Sequence, residues 1–315
     1  MTFPQVLGLH HVTAIASNAQ RNYDFYTQIL GLRLVKKTVN FDDPFTYHFY
    51  YGNYYAAPGT ILTFFPWTHI SKGRRGVGMA TEVGLSVPEG SLGFWKNRLQ
   101  QAGVIVNSPA TKFGEEYLTA LDPDGLKLEL TVAKNVARDT RLPFETSEID
   151  ATKAICGFHH TTLTLSNIQP TAEVLTDILG YRLTEQDVNR YRFVTDTVTE
   201  AAIIDLVEAP GEASGVVAGG SVHHIAFRVQ DDAAEMALRE KIVAKGFHVT
   251  PPIDRMYFHS LYFREPGGVL FEIATDVPGF TIDEPLESLG TTLKLPPQYE
   301  PRRTQIEAAL PRLIV

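Results

Sequence analysis

Leu9-His10-His11-Val12-Thr13, followed by Ile29-Leu30-Gly31-Leu32-Arg33-Leu34, returns later in the chain as Phe158-His159-His160-Thr161-Thr162 followed by Ile178-Leu179-Gly180-Tyr181-Arg182-Leu183. A repeat of this kind sets the architecture before any single residue does. It also lets the two copies be compared, so a residue present in one and absent from the other can be read as chemistry.

A second pattern alternates with the first. Thr81-Glu82-Val83-Gly84-Leu85-Ser86-Val87 has the period of a strand. A helix-like run from Leu92 to Ala102 follows, stopped by Gly103, and the unit closes with Asp122-Pro123-Asp124-Gly125-Leu126-Lys127-Leu128-Glu129-Leu130. Its match is His223-His224-Ile225-Ala226-Phe227-Arg228-Val229, a helix from about Ala233 to Lys245 ended by Gly246, and Glu265-Pro266-Gly267-Gly268-Val269-Leu270-Phe271-Glu272-Ile273. The Pro-Asp-Gly and Pro-Gly-Gly segments between strand-like runs read as hairpin turns.

The fold class expected is therefore α+β, with four βαβββ modules in two tandem halves. The halves are residues 1–150 and 151–276, and 277–315 is an extension that packs on the sheets as a closing arm. One helix covers only one face of a small sheet, so such modules must pair and curl around a shared cup. Along a strand His11 and Thr13 share one face, and strict alternation puts His10 on the other.

With 44% apolar and 20% charged residues the 315-residue chain has the composition of a soluble globular protein. The formal charge of -8 argues against nucleic acid or an anionic membrane as partner. No apolar run reaches the roughly 18–20 residues that span a bilayer. Met1 to Leu9 lacks the pattern of a secretion signal, so the cytoplasm is the expected location. Cys156, the only cysteine, excludes an internal disulfide and any cysteine-rich metal site, and reads as a small buried residue. Association into homo-oligomers is left open.

Matching the modules sets Glu82 opposite His224 and Glu129 opposite Glu272. One module thus offers an imidazole on its first strand and a carboxylate on its last. A second imidazole from a partner module, His11 or His160, would complete two histidines and a carboxylate, the ligand set of non-haem Fe(II) oxygenases. The residues alone leave the choice between His11 and His160 open.

The layout resembles the vicinal oxygen chelate superfamily of glyoxalases, bleomycin-resistance proteins and extradiol dioxygenases. It is most similar to the hydroquinone ring-cleaving dioxygenases within it. The stretches that carry the likeness are Gly8 to Thr13, Val222 to Phe227, Asp254 to Gly268, and the tail from Leu295 to Pro311. The resemblance implies His11, His224 and Glu272 as ligands of Fe(II), with Mn(II) accepted by the same set, and a cup shared by modules one and four. It implies Arg255 as an anchor for a substrate oxygen, suited by its planar fork. His223 or Tyr262 would move protons, and Thr13 and, despite its parity, His10 would join the pocket. Tyr257 and His259 should border the cup, whereas His48 and His159 read as structural. Glu82, Glu129 and His160 would line a vestigial second pocket.

The activity implied is opening of a substituted hydroquinone with O2, the partners being a small aromatic substrate and dioxygen. The alternatives are a catechol-type extradiol dioxygenase, a glyoxalase-like metalloenzyme that does not use oxygen, and a metal-free protein that sequesters a ligand.

Overall fold

The computed structural model describes residues 6–134 and 139–314; the first residues of the Met1–Leu9 stretch therefore lie outside it. Module one comprises β1 (Leu9–Ala16), α1 (Ala19–Asp24), β2 (Arg33–Asn40), β3 (Asp43–Gly52) and β4 (Ile61–Pro66). Module two comprises β5 (Met79–Ser86), α2 (Leu92–Gln101), β6 (Ala110–Lys112), β7 (Glu115–Leu121) and β8 (Lys127–Thr131). Module three comprises β9 (Gly157–Leu165), α3 (Gln169–Glu173), β10 (Arg182–Asp187), β11 (Arg190–Val194) and β12 (Ile203–Glu208). Module four comprises β13 (Ser221–Val229), α4 (Asp232–Ala244), β14 (Ile253–Asp254), β15 (Phe258–Arg264) and β16 (Leu270–Pro278). All four are βαβββ. The repeat is legible even in detail, since α1 and α3 both widen into a π-turn, at Phe25–Ile29 and Val174–Ile178.

The modules pair across the halves. One eight-stranded sheet has the order β14-β15-β16-β13-β1-β4-β3-β2, joining modules four and one. The other runs β10-β11-β12-β9-β5-β8-β7-β6, joining three and two. In each, the two first strands meet antiparallel, β1 on β13 and β5 on β9. Period-two alternation then sorts the side chains. Val12, Ala14, Leu62, Phe64, Ile225, Phe227, Phe271 and Ile273 enter the main apolar core with Tyr26, Trp95, Leu238 and Ile242 from the helical segments. Their neighbours on the opposite face of the first sheet, among them His11, Thr13, Tyr50, Ala226 and Glu272, turn into its cup.

The tail is a clasp on the outer strand of module one. Lys36 of β2 is fully buried, with Nζ 2.6 Å from both Asp283 Oδ1 and Glu284 Oε2. The Lys294 N–H donates to the Lys37 carbonyl at 2.9 Å, the Tyr299 hydroxyl donates to the Phe41 carbonyl at 2.7 Å, and Ile306 of α5 (Arg303–Ala309) is buried. An unpaired sheet edge is thereby covered. Phe280 stacks on Tyr257 at 5.2 Å beneath the cup. No helix among the described residues is long and apolar enough to cross a membrane.

Candidate metal centre

A β-bulge interrupts each first strand, and it is what shapes the site. Pairing of β1 with β13 runs from Leu9↔Phe227 to His11↔Ala226 and from Thr13↔His224 to Ala14↔Val222, leaving His10 and His223 as extra residues. The same break occurs in the other sheet at Thr81 and His159. A bulge puts two successive residues opposite one and re-aims their side chains. His10 is accordingly beside His11, not across the sheet from it, with the two Nδ1 atoms 2.9 Å apart. His223 and His224 meet in the same way at 2.8 Å, as do His159 and His160.

These contacts select the tautomers. Burial, reinforced by the neighbouring His11, pushes His10 well below the ordinary imidazole range. Burial and His224 bring His223 down to about 3. Both outer rings are therefore neutral, and each is taken as the acceptor at Nδ1. The shared protons are assigned on this pattern to Nδ1 of His11 and His224. Their Nε2 atoms thus face the cup, the position from which a neutral imidazole binds a metal.

Glu272 completes the cluster from β16, next to β13 in the register Ala226↔Glu272. Its Oε2 lies 3.1 Å from His11 Nε2 and 2.9 Å from His224 Nε2, while the two Nε2 atoms are 3.3 Å apart. Although these are hydrogen-bonding distances, neither carboxylate oxygen receives a directed hydrogen bond, and the side chain is fully buried. Burial alone would raise the Glu272 pKa, but the two imidazoles outweigh it and hold the carboxyl well below its usual range. Three potential ligand atoms thus stand within 3.3 Å of one another around a fully buried carboxylate, a place that calls for a shared proton or a cation. A divalent cation can bind all three atoms in place of such a proton, so these residues fit a metal ion.

Replacing His10 with Phe removes the acceptor behind His11 while keeping an aromatic ring in its place. The expected result is a 10–100-fold weaker affinity for the ion, the usual scale for losing a partner behind a ligand, with the fold retained; titration with Mn(II) measures it.

Above the cluster is a cavity of about 340 Å³ lined by His11, His224, His223, Arg255 and Tyr262, together with Asp42, His48, Tyr50, Phe65, Trp67 and Phe258. Benzene fits in roughly 150 Å³, so there is room for a substituted ring and a small second reactant. The Tyr262 hydroxyl accepts from Ser260 Oγ at 3.2 Å and from Arg255 Nε at 3.3 Å, which fills its lone pairs and leaves its own proton free to donate. Burial and the charge of Glu272 raise its pKa far above the ordinary phenol value, so it stays protonated. Arg255 Nη1 reaches Asp42 Oδ2 at 3.2 Å on the cavity rim.

Several expected neighbours lie elsewhere. Thr13 faces the cup but bonds Thr63 at 2.8 Å beneath His48 and does not line the cavity, and His10 acts behind His11 rather than in the pocket. Tyr257 turns to Asp283 of the tail, and His259 pairs with Asp232 Oδ1 at 2.7 Å on the surface. His48, read from the sequence as structural, lines the cavity, its Nε2 2.9 Å from Thr63 Oγ1 and its ring 4.0 Å from Tyr50. Its parity with Tyr50 along β3 was the available signal. Glu82, Glu129 and His160 converge in the second cup, but Lys112 stands among them, 3.1 Å from His160 Nε2 and in contact with Glu129.

Residues 8–130 and 157–273 match the family described as the Glyoxalase/Bleomycin resistance protein/Dioxygenase superfamily. Among curated relatives, "Putative ring-cleaving dioxygenase MhqO" of Bacillus subtilis (strain 168) is 44% identical over 97% of this chain and 96% of its own. "Chlorohydroquinone/hydroquinone 1,2-dioxygenase" of Sphingobium indicum is 34% identical over 95% of each chain. A crystal structure of a "putative dioxygenase" from Bacillus subtilis superposes with a TM-score of 0.94 at 42% identity, covering 99% of both chains.

Proposed function

Since the chain belongs to the Glyoxalase/Bleomycin resistance protein/Dioxygenase superfamily, we propose that it is an Fe(II)-dependent dioxygenase that opens the ring of hydroquinones. The observation that carries this reading is Glu272, fully buried with Oε2 3.1 Å and 2.9 Å from the Nε2 atoms of His11 and His224. His11, His224 and Glu272 would hold the ion on one face and leave its remaining positions toward the cavity. An Fe(II) bound there supplies the Lewis acidity that lowers a phenol's pKa and the redox activity that lets O2 react with a closed-shell ring. The hydroquinone preference is supported by the name of the Sphingobium relative.

The chain's own residues do the rest. Arg255, charged throughout the working range, anchors a substrate oxygen at the rim. Tyr262 donates its free proton to an oxygen in the cavity. His223, neutral and accepting at Nδ1, keeps its Nε2 proton as a second donor on the wall. Phe65, Trp67 and Phe258 bound the space in which a ring is held and from which water is excluded.

The test is oxygen uptake by anaerobically Fe(II)-loaded protein offered hydroquinone, chlorohydroquinone and catechol. Consumption of one O2 per ring with the hydroquinones and little with catechol is the expected outcome. Uptake with catechol alone would move the substrate class, and none with any of them would overturn the reading.

A further inference from the structure

Lys112 and Arg255 are structural counterparts. Thr119 pairs with Glu129 as Tyr262 pairs with Glu272. Counting back along β7 and β15 sets Glu115 against Phe258, and their partners across the adjoining turns are Lys112 and Arg255. Both turns contain a residue in the left-handed region, Phe113 at φ 49° and Met256 at φ 67°. One position of a duplicated module thus carries a cation in each cup, with different consequences.

In module four the guanidinium stops at the rim, held by Tyr262 and Asp42, and the Glu272 oxygens stay bare. In module two the ammonium goes all the way in. Lys112 Nζ touches Glu129 Oε2, lies 3.1 Å from His160 Nε2 and 3.9 Å from Glu82 Oε2. Glu82 is further met by Lys127 Nζ at 2.5 Å and by Arg190 Nη2 at 3.1 Å. Burial and Lys112 hold His160 well below the usual imidazole range, so its Nε2 is a neutral acceptor for the ammonium. The donor atoms of Glu82, Glu129 and His160 lie within 4.8 Å of one another, as do those of the first cup. Here Glu82 and Glu129 face Lys112, Lys127 and Arg190, with Asp205 3.6 Å from Arg190, so an arriving divalent ion meets carboxylates already matched by fixed cations.

We propose that Lys112 is a tethered occupant of a second metal site: its ammonium stands where an ion would bind among Glu82, Glu129 and His160, restricting the chain to one ion in the first cup. Taking the ammonium away opens a two-carboxylate, one-imidazole site for a divalent cation such as Mn(II) or Zn(II). Met is the suitable replacement, because its chain ends one atom short of Nζ.

The experiment counts Mn(II) per folded chain at saturation, by elemental analysis after removal of free ion. Wild type and Lys112→Arg should hold one, Lys112→Met two, and Lys112→Met combined with Glu129→Gln one again; His160→Gln in the wild-type background should leave the count at one. A folded Lys112→Met protein that still holds one ion overturns the proposal. So does a wild type that holds two and falls to one with His160→Gln, an arm that decides the matter even where Lys112→Met does not fold. The proposal rests on the reading of the first cup only for the wild-type count: none in wild type and one in Lys112→Met would sink that reading and leave this one standing.

Discussion

Glu272→Gln is expected to abolish metal retention and ring cleavage while leaving the apoprotein folded. The substitution removes a charge that is fully buried and accepts no directed hydrogen bond. In the apoprotein the carboxylate is held by His11 and His224, so a neutral amide of the same shape gives up that attraction but also removes the cost of burying a charge. For the ion there is no such offset, since the amide takes away the only anionic ligand of the cluster. Affinity should fall by well over the roughly 100-fold that loss of a supporting partner causes. Thermal unfolding with and without Mn(II) reads both effects. Wild type should be stabilised by about 2.7 kcal/mol when free ion is 100 times Kd, and Glu272→Gln should show no such gain. A variant that unfolds without metal, or that still gains stability from it, would mean that Glu272 is a packing residue.

Tyr262→Phe is the second large effect, and it should be confined to turnover. The hydroxyl already accepts from Ser260 and Arg255, so its proton has one direction left, the cavity. Deleting it removes a proton donor without touching a ligand of the ion. The turnover number should fall about 10²–10⁴-fold, the range in which general acid–base groups contribute, while KM and the metal count stay near wild type. A rise in KM at unchanged turnover would assign Tyr262 to substrate binding alone.

The layout of this fold is written in local patterns. The paired His-His stretches, the Pro-Asp-Gly and Pro-Gly-Gly turns and the Gly-stopped helices mark out βαβββ units, because each is set by neighbours within a few residues. The strand positions of His11, His224 and Glu272 follow from the same matching. Three things were not legible. The bulges that bring His10 beside His11 depend on which strand lies alongside, so strict alternation misplaces His10. Which module pairs with which is a long-range choice that the repeats leave open, and it alone decides between His11 and His160 as the neighbour of His224. The third is the fate of the long cations, Lys36 in the middle of β2 and Lys112 and Arg255 at or beside strand ends. One is buried under the tail, one fills the second cup and one guards the first. Their reach is set by the elements folded against them, which no spacing records.

The measurement that goes to the centre of this account is a crystal structure of the Mn(II)-loaded protein with anomalous scattering from the metal. It should show one peak within about 2.3 Å of His11 Nε2, His224 Nε2 and a Glu272 oxygen, at the bonding distances typical of such donors, and none beside Lys112. A peak among Glu82, Glu129 and His160 instead, or none in the first cup at saturating metal, would contradict it.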